Sequence, residues 1–164
     1  MRDTFILEIA SLPPDIVFYV DECGIDEFIY RQYAYAPRGT AVSGKISGRK
    51  FKHTNVVAAK CGGKIFAPLI YDGTTDSVLF EFWFETMLLK VLPIGSVIVL
   101  DNASFHRKNR LSELAAQAGC IVKFLPPYSP DLNPIEKYWA WLKHTLRAFL
   151  PMHSSFLSAL LDCF

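Results

Sequence analysis

The chain lacks any Cys-x-x-Cys pair: Cys23, Cys61, Cys120 and Cys163 are widely scattered. That scatter argues against both a structural zinc site and a disulfide framework, and leaves four buried free thiols as the expectation. An uninterrupted apolar span of the roughly 20 residues needed to cross a bilayer is also missing. The most apolar stretch, Ser77 to Leu100, is broken by Glu81, Glu85, Lys90, Pro93 and Gly95, although mean hydropathy is +0.22. The N-terminus carries Asp3 and Glu8 early and has no sustained apolar centre, unlike a secretory signal. A cytoplasmic protein without a membrane partner is therefore expected. There is almost no net charge, +1, which neither favours nor excludes a nucleic-acid partner. No internal repeat or low-complexity linker is visible.

What is present is ample core material. Hydrophobic residues make up 51% of 164, and charged ones 20%. One globular domain of this size buries roughly 70% of its unfolded surface. Residues 16–20, Ile-Val-Phe-Tyr-Val, read as a buried strand ending on Asp21. Phe51 to Cys61 and Lys64 to Tyr71 read as two strands joined in a tight hairpin at Gly62-Gly63. Asp76 to Leu92 is helical in pattern, with Thr75 or Asp76 as N-cap and Pro93 as stop. Val97 to Leu100 is a β-branched run that again terminates on an acid, Asp101. Residues 108–118 suit an amphipathic helix with Gly119 as its stop, and Ile121 to Leu125 is a short strand. The last helix is marked by Asn133 as cap, Pro134 at its first position, and Ile135, Trp139 and Leu142 at helical spacing, running to about Phe149. The order predicts an α/β, ribonuclease H-like fold, a mixed five-stranded sheet flanked by helices. Its catalytic domain spans 15–150, between an N-terminal extension or linker remnant, 1–14, and a C-terminal extension, 151–164.

Ligand sites of open α/β sheets gather at the carboxyl ends of the strands, where Asp21 and Asp101 are expected. Glu136, in the first turn of the last helix, can reach the same edge. Alone, it also fits the N3 position of a capping box begun by Asn133. Three gathered carboxylates repel one another unless a cation neutralises them, and hard oxygen ligands suit Mg²⁺ or Mn²⁺. Two such ions about 3.5–4 Å apart would fit a phosphodiester reaction. Glu22, next to Asp21 on a continuing strand, should face the other way. Trp83, Phe82, Phe84 and Trp139 read as core aromatics.

Three segments carry a resemblance: VDECGI around Asp21, VLDNASFH around Asp101, and LPPYSPDLNPIEKYWAWLK around Glu136. The chain resembles the Tc/mariner superfamily of DDE transposases, especially its bacterial insertion-sequence branch, from about residue 15 to residue 148. The thirty-four residues from Asn102 to Ile135 match that family's interval between the second and third acids. The resemblance implies a metal-dependent DNA endonuclease and strand transferase with Asp21, Asp101 and Glu136 as catalytic and metal-binding triad. It further implies two Mg²⁺ ions with Mn²⁺ as substitute, transposon ends and target DNA as partners, and a homodimer in the DNA complex. Members normally carry an N-terminal helix-turn-helix region, for which residues before Asp15 are too few, so end recognition is expected from a separate helix-turn-helix chain. With DNA as the implied substrate, the acid-free run from Arg38 to Lys64 nominates Lys45, Arg49, Lys50 and Lys52 as backbone contacts. His106 and Arg107, after the second acid, and Lys137 and Lys143, on the last helix, complete the DNA-binding candidates. Two other readings compete: a simple ribonuclease H-like nuclease without strand transfer, and a non-enzymatic or decayed DNA-binding or assembly module.

Overall fold

The computed structural model describes residues 1–27, 37–39 and 52–164. Helix α1 (Arg2–Ala10) leads into strand β1 (Val17–Asp26), followed by β2 (His53–Cys61) and β3 (Lys64–Asp72). Helix α2 (Ser77–Trp83) continues through a π-helical turn, Phe84–Leu88, into the short α3 (Leu89–Val91). Then come β4 (Val97–Leu100), α4 (Lys108–Gln117), β5 (Ile121–Phe124), α5 (Ile135–Phe149) and α6 (Phe156–Leu161). The five strands form one mixed sheet in the order β3-β2-β1-β4-β5. β1, β2 and β3 pair antiparallel, while β1–β4 and β4–β5 are parallel.

The early hairpin forms where two glycines permit it, with Cys61 opposite Lys64 and Gly62 at φ +55. Farther along it the register shifts between Val57 and Ala59, an irregularity opposite Ala67 and Pro68. Pro68 has no N–H to give a ladder, and Ala67, at φ +48, turns its carbonyl to Trp83 Nε1 at 2.7 Å. Asp76 caps α2 through Leu79 N–H at 2.8 Å, as expected.

Side chains alternate across the sheet and divide the core in two. Phe18, Val20, Val57, Ala59, Ile98 and Leu100 pack under α2 and α4 against Phe80, Trp83, Phe84, Leu111 and Leu114. On the other face Cys23, Ile25, Val56 and Ala58 meet Ile135, Trp139, Leu142 and Leu146 of α5 and Ala159 and Leu160 of α6. Each large side chain so buried contributes about 1.5–3 kcal/mol. β4 is buried along its whole length, which is why it reads as an unbroken apolar run. The terminal segments are part of this packing. Phe5 and Ile9 of α1 cover Val17, Val99 and Leu125, while α6 closes the second core.

Three sequence expectations give way here. β1 does not stop at Asp21 but runs on to Asp26, because β2 continues to pair with it after β4 has ended. Asn133 does not cap α5 through its side chain. It is buried instead, donating from Nδ2 to the Val20 carbonyl at 3.5 Å, and Glu136 N–H bonds to the Asn133 backbone carbonyl at 3.2 Å. The four cysteines are buried free thiols, and Trp83, Phe84 and Trp139 are core residues, whereas Phe82 is exposed.

Candidate acidic site

The parallel register of β1 and β4 pairs Val17 with Val97, Phe18 with Ile98 and Tyr19 with Val99. Continued by two steps, it sets Asp21 beside Asp101 just where β4 ends. The loop after β5 and the start of α5 close this edge, so that Asp21, Asp101 and Glu136 line one cleft of about 300 Å³ with Asn102, Leu125, Tyr128 and Asn133. Among the described residues no three His, Cys, Asp or Glu side chains stand close enough together to form a ready-made metal cage. The cleft gathers the three acids without drawing them into contact.

Asp21 points to the α5 face, where Oδ2 accepts a hydrogen bond from Trp139 Nε1 at 3.1 Å. Burial, reinforced by the charges of Glu22, Glu136 and Asp101, pushes its carboxyl up to about 7. Asp101 behaves in the opposite way. A hydrogen bond from His106 holds it below the usual carboxylate range, against the cost of burial, and Ala103 N–H adds a second bond at 3.0 Å.

His106 lies under the site. Its ring is buried between Phe80 and Phe105, with centroids 4.3 and 4.5 Å away. Nδ1 is 3.2 Å from Asp101 Oδ1 and Nε2 is 3.5 Å from Glu22 Oε1, the latter an ion-pair distance without hydrogen-bond geometry. Burial alone would lower the imidazole, but the two carboxylates outweigh it and raise it to about 9. Glu22 thus does face away from Asp21, into the opposite layer of the molecule.

The remaining candidates are dispersed. Lys45, Arg49 and Lys50 lie outside the described residues. Lys52 is exposed and paired with Asp72 at 2.8 Å. Arg107 makes a two-pronged pair with Glu81 at 2.6 and 2.7 Å. Lys137 is exposed on α5, and Lys143 is half-buried, near enough to Cys23 to offset part of the upward push of burial on that thiol. Glu136, Trp139 and Lys143 recur at helical spacing and share one face of α5.

Sequence reasoning missed three supports of this site. Trp139 was read only as core, although a buried indole N–H needs an acceptor and its position one turn after Glu136 offered Asp21 as one. Asn133 was assigned to a cap, and its link to β1 has no local signal. Arg2 was unassigned; it bonds Ser129 Oγ at 3.1 Å and pairs with Asp131, bracing the loop that lines the cleft. No helix among the described residues is long and apolar enough to cross a membrane.

The model of the DDE superfamily endonuclease family matches residues 16–156. Among solved structures the chain is similar to the Mos1 transposase paired-end complex with left transposon end, at 17% identity and TM-score 0.70, covering 88% of this chain and 46% of that one. It is similar to a pre-cleavage Mos1 transpososome at 16% identity and TM-score 0.71, covering 87% and 46%. A third is the catalytic core domain of BIV integrase, at 12% identity and TM-score 0.55, covering 91% and 80%. The likeness is one of fold, the five-stranded mixed sheet flanked by helices of ribonuclease H-like transposase and integrase cores. The chain spans about half the length of the Mos1 transposase chains it matches. No curated protein matches it.

Proposed function

The chain belongs to the DDE superfamily endonuclease family, and on that footing we propose that it is the catalytic domain of a DNA transposase of the Tc/mariner superfamily, in its bacterial insertion-sequence branch. Asp21, Asp101 and Glu136 are its triad. The observation that carries this reading is that these three acids, far apart in sequence, line a single cleft at the sheet edge.

The donor set fits a hard divalent cation. Asp21 is held at about 7 partly by the charges of Glu22, Glu136 and Asp101, a repulsion that bound positive charge would relieve. Asp21, Asp101 and Glu136 would hold two Mg²⁺ ions, with Mn²⁺ as substitute. Bound there, such ions supply activation of the attacking oxygen and stabilisation of the leaving one.

The protein's own residues set the geometry. Trp139 fixes the Asp21 carboxylate from the α5 side, and His106 with Ala103 N–H fixes Asp101 from below. Lys137 and Lys143 on α5, together with Lys45, Arg49, Lys50 and Lys52, are assigned to the DNA backbone, for which they supply affinity without sequence choice. His106 and Arg107, nominated with them, are better assigned to support, being engaged with Asp101 and Glu81. In the reaction a water attacks the scissile phosphorus at the transposon end and the 3′ oxygen departs as a hydroxyl. That hydroxyl then attacks a target phosphorus, joining the strands and expelling a target 3′ oxygen.

The Mos1 complexes hold transposon ends, which supports DNA as partner here. We assign a homodimer to the DNA complex, end recognition to a helix-turn-helix region, and a cytoplasmic location. The test is to incubate the purified chain and Asp101→Ala with a pre-cleaved transposon-end duplex, a labelled plasmid and Mg²⁺ or Mn²⁺. Joined product from the parent alone is expected. Nicking without joining would reduce the reading to a simple nuclease, and equal behaviour of parent and variant would overturn the triad.

A further inference from the structure

The start of α5 separates the acidic cleft from a second concavity of about 420 Å³: Asn133 and Glu136 line the first, Pro134 the second. The floor of the second is the sheet. Tyr19 of β1 stands directly opposite Lys60 of β2, so their side chains share one face, and Val17, two residues before Tyr19, shares it too. Ile9, Leu12 and Pro14, from the end of α1 and the turn after it, make the wall.

That wall is built in advance of any occupant. Cys61 Sγ bonds the Pro14 and Asp15 carbonyls at 3.5 and 3.3 Å, tying the turn to β2. Ser11 Oγ donates to the Glu8 carbonyl at 2.7 Å, and the Ser11 and Leu12 N–H groups close the end of α1. Protein interiors leave few gaps larger than a water molecule, and apolar side chains around an open one forgo the contacts that filling would supply. Ile9, Leu12 and Tyr19 are in that position, only partly buried although they pack on Val17 and its neighbours.

Two polar groups face this apolar lining. The Tyr19 hydroxyl makes no hydrogen bond among the described residues, and burial raises it above its ordinary value, so it stays a neutral donor. The Lys60 ammonium gives one of its three protons to the Gly62 carbonyl and keeps two. No Asp or Glu lines the concavity. A single positive charge beside a spare donor, on the rim of an apolar trough, complements an apolar body with one anionic head.

We propose that this concavity is a binding site for a small aryl monocarboxylate. Its carboxylate lies on Lys60 Nζ and Tyr19 Oη, and its ring lies against Ile9, Leu12, Val17 and Pro134. Small-molecule sites have this size and this make-up, mostly apolar with a few placed polar groups. The site contains none of the three acids, so occupancy is read without metal or turnover.

The test is calorimetric titration of the full chain with 2-naphthoate, against 2-methylnaphthalene and 2-naphthylmethylammonium as uncharged and charge-reversed controls. One naphthoate should bind per chain, and both controls should bind about 10-fold more weakly or worse. Lys60→Met, which keeps the apolar stem, should weaken naphthoate by about 10-fold or more, and Tyr19→Phe by about 3-fold. Ala10→Trp places a ring in the trough from an exposed position and should abolish binding, with a melting temperature equal to the parent's to show that it folds. Absence of naphthoate binding to the parent, equal binding by Ala10→Trp, or equal affinity for the ammonium compound would each overturn the proposal. So would self-association of the parent in sedimentation that Ala10→Trp removes, which would make the trough an interface between two copies of this chain.

Discussion

Trp139 Nε1 and Asp21 Oδ2 lie 3.1 Å apart, joining the last long helix to the central strand through one charge-assisted hydrogen bond. The indole is buried, so its ring packs the α5 core while its N–H steadies an acid. Trp139→Phe separates the two roles. Stability should fall by about 1 kcal/mol, while Mn²⁺ affinity, read by calorimetry, should fall roughly 10-fold or more. Unchanged Mn²⁺ affinity would show that the bond does not prepare Asp21.

Asp21 also has a stability signature. Burial pushes its folded carboxyl up to about 7 from an ordinary 3.8, so between those pH values the folded state binds more protons than the unfolded one. Stability of the metal-free chain must then fall as pH rises through that window. Asp21→Asn should melt higher than the parent at pH 8, by about 1–2 kcal/mol after discounting for partial exposure and the Trp139 bond, and should lose that advantage near pH 4. Melting curves with chelator present check this, and an advantage independent of pH would contradict it.

His106 bridges two carboxylates from a buried position. His106→Ala would leave Glu22 and Asp101 facing each other without the ring between them. A loss of about 2 kcal/mol is expected, reduced from the cost of a fully buried pair because Asp101 is partly solvated. His106→Gln, which can still donate to Asp101, should recover part of both stability and Mn²⁺ affinity. If Gln and Ala behave alike, orientation of Asp101 does not depend on that donor.

At the other end of the molecule His153 ties α6 to α5. Nδ1 meets the Phe149 carbonyl at 2.8 Å and Nε2 meets Asp162 at 2.6 Å, and these bonds raise the imidazole above its ordinary value. A raised histidine contributes stability that is complete below about 6.5 and is lost as pH rises through its folded value. Amide exchange in α6 should therefore quicken, beyond its intrinsic base catalysis, above neutral pH. In Asp162→Asn that extra dependence should shrink, and an undiminished one would exclude the pair as its cause.

The alternation of elements was legible because each strand and helix of the sheet layer announces itself locally. Gly62-Gly63 permits one kind of turn, Val97–Leu100 is apolar on both faces, and Asp76 caps as its chemistry suggests. Asp101 was legible as a residue at a strand's end and Glu136 as one at a helix start, each within a specific motif. What escaped was long-range. β1 continues past Asp21 because β2 pairs with it, which no window around Asp21 contains. Asn133 and His106 are polar residues buried against β1, at Val20 and Glu22, a placement no local pattern contains. Lys45, Arg49 and Lys50 fall outside the described residues.

One helix carries both Glu136 and, a turn later, the indole that steadies Asp21. An α-helix advances about 1.5 Å and turns about 100° per residue. Slippage of α5 by one residue would therefore swing Glu136 out of the cleft and withdraw the Trp139 N–H in the same movement. The acidic site is mechanically all-or-none: two of its three carboxylates answer to a single rigid rod, and whatever seats that rod arms both together.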